Sequence, residues 1–192
     1  MALEYWYLRR RDMMYFYGHS LCYTDSMKTI CVSGLKNSGK TALIEALIPL
    51  LAAEGIRTVV IKHHGHGFVG EIPDKPGSDT YRFLAAGAHG TVIYDDEVYA
   101  LVKRQAASVE DLTSLFPDAD LILIEGAKTE PYPRIAMLRA GHTPASDTNG
   151  LLCAVTDKAY PIDALPPGLP RFDFGDFEGV AGVLLGHLKT NK

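Results

Sequence analysis

Gly34-Leu35-Lys36-Asn37-Ser38-Gly39-Lys40-Thr41 satisfies the pattern GxxxxGK[ST], and its setting decides how the rest of the chain reads. Thr29 to Ser33, just before it, is a short apolar run with β-branched residues and reads as a buried first strand. After it, Leu43, Leu47, Leu50 and Leu51 fall at helical spacing, so a helix is expected from about Lys40 to Glu54, stopped by Gly55. A glycine-bounded loop between a strand and a helix is the setting of a phosphate-binding P-loop. Glycine lets backbone N–H groups turn inward onto phosphate oxygens, and the helix N-terminus adds partial positive charge. Gly34, Asn37, Ser38, Gly39, Lys40 and Thr41 are therefore candidate nucleotide ligands. Lys40 is placed to reach the β- and γ-phosphates, and the Thr41 hydroxyl to bind Mg²⁺.

Working outward, Arg57 to Lys62 reads as a second buried strand, and His63 to Gly77 as a long loop rich in Gly, His and Pro. A helix is expected over Ser78 to Ala86, ended by Gly87, and a strand over Thr91 to Tyr94. Ser108 and Asp111 have capping-box spacing for a helix reaching about Phe116. Asp120 to Glu125 is the clearest buried strand, with Arg134 to Leu138 and Leu151 to Thr156 as two more. A proline-rich connection, Pro161 to Pro170, leads to a last helix from about Asp176 with Val180, Val183, Leu184, His187 and Leu188 on one face. Strands alternating with helices indicate an α/β, P-loop NTPase-like three-layer fold with a mainly parallel sheet flanked by helices.

The 192 residues suffice for one such domain, expected over residues 27–192. Hydrophobic residues make up 47% and charged residues 22%, and the net charge of -4 gives no reason to expect nucleic acid or an anionic membrane as partner. Three scattered cysteines, Cys22, Cys31 and Cys153, fit neither a disulfide framework nor a cysteine zinc site, in keeping with a reducing compartment. No apolar run approaches the roughly 18–20 residues that span a bilayer. Met1 to Ser26 stands apart, with a run of aromatic residues and Arg9-Arg10-Arg11. It reads as a leader that is non-native or disordered, with Met27 as the natural start; the alternative is an arm that docks on a partner.

Beyond the loop, Glu125 closes its strand where P-loop folds place a carboxylate beside the Mg²⁺ shell, which makes Lys40 and Glu125 the candidate catalytic pair. The competing reading is a carboxylate of the Glu125-Gly126 turn. Lys62, His63, His64 and His66 follow the second strand and would lie at the carboxyl edge of the sheet, where ligands of open α/β folds bind. They suit phosphate, a metal or an anionic substrate, or simply form a solvated loop. In Asp74-Lys75-Pro76-Gly77-Ser78-Asp79, helix capping accounts for the residues, with Asp79 as a further site candidate. The NKxD pattern of many GTPases is absent. Asp157 is the nearest equivalent, able to accept from guanine N1–H and its 2-amino group, or to serve as a turn residue.

Asn37 to Thr41, Ile61-Lys62-His63-His64-Gly65-His66, Asp74 to Arg82, Ala86 to Ala88 and Asp120 to Lys128, in this order and with Cys153 to Asp157 after them, resemble the molybdopterin-guanine dinucleotide biosynthesis protein B family. The resemblance runs from about Met27 to the C-terminus. It implies a cytoplasmic, GTP-binding homodimer with weak GTPase activity, an adapter that assists attachment of GMP to molybdopterin alongside a molybdopterin guanylyltransferase. It implies Lys40, Thr41 and Glu125 for phosphate and Mg²⁺, and Lys62, His63 and Asp79 for an adjoining second pocket. The chain departs from the family pattern at Gly67 to Gly70, where an acidic residue is usual and Glu71 is the substitute at a shifted position, at Ser78, often Lys, and at Ala127, often Phe. Two other classes fit the loop: a small-molecule kinase, and a GTP-dependent metallochaperone using the three histidines.

Overall fold

The computed structural model describes residues 28–65, 74–127, 129–141 and 150–190. The leader therefore lies outside the described residues, as do His66, Glu71, Lys128 and Cys22. The chain divides into two compact units. One comprises the residues up to Ile61 together with Asp118 onward; the other is Lys62–Pro117.

The first unit is built on a six-stranded sheet. Its strands are β1 (Lys28–Gly34), β2 (Thr58–Lys62), β5 (Leu121–Glu125), β6 (Arg134–Leu138), β7 (Leu151–Thr156) and β8 (Arg171–Asp173), in the spatial order β2-β5-β1-β6-β7-β8. β1 pairs in parallel with both β5 and β6, and β6, β7 and β8 continue the parallel run. This is the mostly parallel central sheet with flanking helices that the alternation of strands and helices predicts. β5 and β6 are buried at every position, which is why they read as continuous apolar runs. β2 was expected to be buried but is only half so, because it is an edge strand. β8 has no counterpart in the sequence reading: three residues after a proline-rich connection carry no periodic signal.

Helices α1 (Lys40–Ala53) and α4 (Phe177–Lys189) pack together on the sheet, and Ile30, Val32, Leu43, Leu47, Leu51, Leu123, Ile135, Val155, Val180 and Leu184 form the shared core. α1 begins at Lys40, as expected, and Gly55 ends it with φ +76°. Pro49 lies inside it, on the exposed side. α4 starts at an Asp176 cap whose carboxylate accepts from the Gly179 N–H at 2.9 Å. Residues Ala136, Leu138, Ala154, Tyr160 and Leu165 make a second, smaller apolar cluster.

The second unit contains α2 (Asp79–Ala85), the hairpin of β3 (Gly90–Tyr94) and β4 (Tyr99–Lys103), and α3 (Val109–Thr113). β3 does not join the six-stranded sheet; it pairs antiparallel with β4, a strand the sequence reading missed. α3 opens on the expected capping box, with Ser108 accepting from the Asp111 N–H at 3.1 Å and the Asp111 carboxylate accepting from the Ser108 N–H at 2.9 Å.

Candidate phosphate site at the carboxyl edge of the sheet

The loop between β1 and α1 is shaped by close approach. A Cβ on Gly34 would stand 2.7 Å from the Met137 carbonyl and 2.7 Å from Ser38 Oγ, so only glycine lets the loop lie this near β6. Asn37 (φ +60°) and Gly39 (φ +98°) are left-handed, which turns successive N–H groups toward the concave side. Gly39 caps α1 without any side-chain hydrogen bond. The first-turn N–H groups of α1 thus have no side-chain cap, and such a helix end favours an anion.

Lys40 follows directly. Its Nζ donates to the carbonyls of Leu35 (2.6 Å) and Gly34 (3.3 Å), so the ammonium arches over the loop it belongs to. Thr41 sits one step further, and its Oγ1 donates to both carboxylate oxygens of Glu125, at 3.0 and 3.1 Å. Sheet register causes this meeting: Val32 of β1 pairs with Glu125 of β5. Glu125 is only 9% exposed, and its carboxylate is aimed at α1, although Gly126 after it does form a left-handed turn (φ +90°). The hydroxyl and carboxylate form an all-oxygen donor set, the chemistry a hard divalent cation takes.

On the other side of the loop, Asp157 follows β7. Its Oδ2 accepts from the Ala140 N–H at 3.0 Å, while Oδ1 is buried with no hydrogen-bond partner among the described residues. One oxygen, rather than two, is thus disengaged. The sequence reading missed two residues here. The Arg139 guanidinium lies over the Phe174 ring, 4.2 Å from its centroid, and that ring borders Gly39. Neither carries a local pattern; they are separated in sequence and meet only because β6, β7 and β8 are neighbours.

Lys62, His63 and Asp79 belong to the second unit. All three are exposed. Asp79 stands in the first turn of α2 and pairs with Arg82 at 3.4 Å, while the Ser78 hydroxyl caps the helix by accepting from the Tyr81 N–H. The Asp74 carboxyl is held below its usual range by the Thr80 hydroxyl, then by the Lys75 N–H and the Ser78 hydroxyl, so this turn is internally organised. Burial pushes the thiols of Cys31 and Cys153 up to about 11 and about 12, which keeps both protonated and unreactive at neutral pH.

The chain matches a family model described as molybdopterin guanine dinucleotide synthesis protein B over residues 29–157. It is 36% identical over 137 residues to a molybdopterin-guanine dinucleotide biosynthesis adapter protein of Haemophilus influenzae, covering 69% of this chain and 75% of that one. A protein of the same name from Escherichia coli is 34% identical over 159 residues, covering 77% and 86%. The crystal structure of Bacillus subtilis MobB superposes with a TM-score of 0.71 at 32% identity, covering 84% of this chain and 98% of the other. The matched span begins in β1 and ends at Asp157, taking in the loop, the Thr41–Glu125 contact and Asp157; with these likenesses in sequence and fold, the chain belongs to the molybdopterin guanine dinucleotide synthesis protein B family.

Proposed function

We propose that this chain is a GTP-binding adapter with weak GTPase activity that assists attachment of GMP to molybdopterin, working beside a molybdopterin guanylyltransferase in the cytoplasm. The observation that carries the nucleotide part is the contact of Thr41 with Glu125 at the uncapped end of α1. Membership of the family, and relatives named as adapter proteins of this biosynthesis, support the pathway. Among the described residues no helix is long and apolar enough to cross a membrane.

In this reading the loop N–H groups and Lys40 would hold the phosphates, and Thr41 and Glu125 would hold Mg²⁺. The cation, when bound, neutralises charge building on the β- and γ-phosphate oxygens. Lys40 leaves its own loop carbonyls for the phosphates, so binding exchanges two neutral acceptors for charged ones. Glu125 orients a water or the cation itself. Hydrolysis stays slow until a partner supplies a group that orients the attacking water.

Lys62, His63 and Asp79 are proposed for a second ligand pocket on the family resemblance of their segments, and their exposure leaves them accessible to a ligand. Homodimerisation belongs to the same reading. Its support is the β3–β4 hairpin, where Val92 faces Leu101 and Tyr94 faces Tyr99 across the strands and all four side chains are exposed. The functional test is reconstitution: GMP transfer to molybdopterin by the guanylyltransferase, with and without this chain and GTP. The reading expects stimulation that is lost in Lys40→Ala; equal stimulation by that variant would contradict it.

A further inference from the structure

Every strand from β5 to β8 around the loop delivers a side chain to the same edge of the sheet. Glu125 ends β5 on one flank of the P-loop. On the other flank Arg139, Asp157 and Phe174 are each the first residue after β6, β7 and β8. With Thr41 and Glu125 as the proposed magnesium side, the opposite flank is the one left for the ribose and base of a bound nucleotide.

That flank is organised. The Arg139 guanidinium lies over the Phe174 ring, its Cζ 4.2 Å from the centroid. Atoms of the Phe174 ring stand 3.8 Å from the place of a Cβ on Gly39, within van der Waals reach of the P-loop itself. The Asp157 carboxylate is tied to the residue after Arg139 through the Ala140 N–H, and its other oxygen is buried and unengaged among the described residues. Phe174 also packs against the apolar core, so the ring is a fixed support, whereas Arg139 is exposed.

We propose that Arg139, backed by Phe174, is the platform on which the purine base of the bound triphosphate stacks, with the base edge turned toward the Asp157 carboxylate. A guanidinium is planar and weakly hydrated, so one face rests on the ring and the other takes a base; an ammonium has no such faces. Guanine presents N–H donors on its pairing edge, which suit a carboxylate oxygen. The proposal rests on the nucleotide reading above and adds the residues that hold the base.

The test is calorimetry of Mg²⁺·GTP and Mg²⁺·tripolyphosphate binding to the full chain, with thermal unfolding run on each variant. Arg139→Ala and Arg139→Lys are each expected to weaken GTP on the order of tenfold, the scale of one stacked base, and to leave tripolyphosphate within about twofold. Phe174→Leu is expected to weaken GTP in the same selective way. Unchanged GTP affinity in Arg139→Ala would overturn the platform. So would full affinity in Arg139→Lys, or a parallel loss of tripolyphosphate, since either would make Arg139 a mere charge for the phosphates. A wild-type chain that binds neither probe would instead bring down the nucleotide reading, and the platform with it.

Discussion

Thr41 and Glu125 stand 84 positions apart in sequence and 3.0 Å apart in space, and that contact makes one substitution informative. Glu125→Gln keeps size and a hydrogen-bond acceptor for Thr41 but removes the charge that attracts a divalent cation. Nucleotide binding without Mg²⁺ should be preserved, while the gain in affinity on adding Mg²⁺ should shrink by about tenfold, or roughly 1.4 kcal/mol. Titrations of GTP with and without Mg²⁺ check this; an unaltered magnesium effect would make Glu125 a turn residue only. Residue-level features were legible in the sequence where the pattern is local. Lys40, Thr41 and the glycines lie within one loop and announce themselves. Asp157 was legible as a strand-end carboxylate, but its Ala140 tether was not, because the partner lies 17 residues away, just past the end of the neighbouring strand. Arg139 and Phe174 were illegible for the same reason.

At the level of elements, α1 carries an internal contradiction. Pro49 cannot donate to the carbonyl one turn back and crowds it, yet the helix runs from Lys40 through Ala53 because Leu43, Ile44, Leu47 and Leu51 are buried in the core. Since Pro49 itself is exposed, Pro49→Ala should raise stability by about 1–3 kcal/mol, measured by denaturant unfolding, without changing nucleotide affinity. α4 carries a pH signature. Burial, and then the charge of Lys28, hold His187 below its ordinary 6.5. Between the depressed folded value and 6.5, the unfolded chain binds a proton that the folded chain refuses. Stability is therefore full above about pH 6.5 and declines as pH falls below it. His187→Gln should flatten that part of the melting-temperature profile between about pH 7 and pH 5.5. Elements with strong periodicity or continuous apolar character, such as β1, α1, β5, β6, β7 and α4, were readable in advance. β4 and β8 were not: one is an exposed ribbon strand and the other three residues long, so neither has the burial that writes a pattern into sequence.

For the whole molecule, the two units present different surfaces. The first carries the candidate phosphate site; the second carries the hairpin whose one face shows Val92, Tyr94, Tyr99 and Leu101, with Tyr94 80% exposed. Contiguous apolar patches of several hundred Å² mark interaction sites, and a two-stranded hairpin is marginal alone. With a second copy as its occupant, the chain should sediment as a dimer, and Tyr94→Ser combined with Tyr99→Ser should shift it toward monomer while leaving GTP affinity unchanged. A double variant that stays dimeric but no longer stimulates the guanylyltransferase would place that enzyme on the hairpin instead.

Gly34 to Thr41, with Glu125, are proposed to form a GTP·Mg²⁺ site. Calorimetric titration of the wild-type chain with GTP and with ATP, each with Mg²⁺, tests it most directly, with Lys40→Ala as the control. Stoichiometric GTP binding, weaker ATP binding and loss of both in Lys40→Ala are expected. Absence of binding to either nucleotide, or a clear preference for ATP, would contradict it.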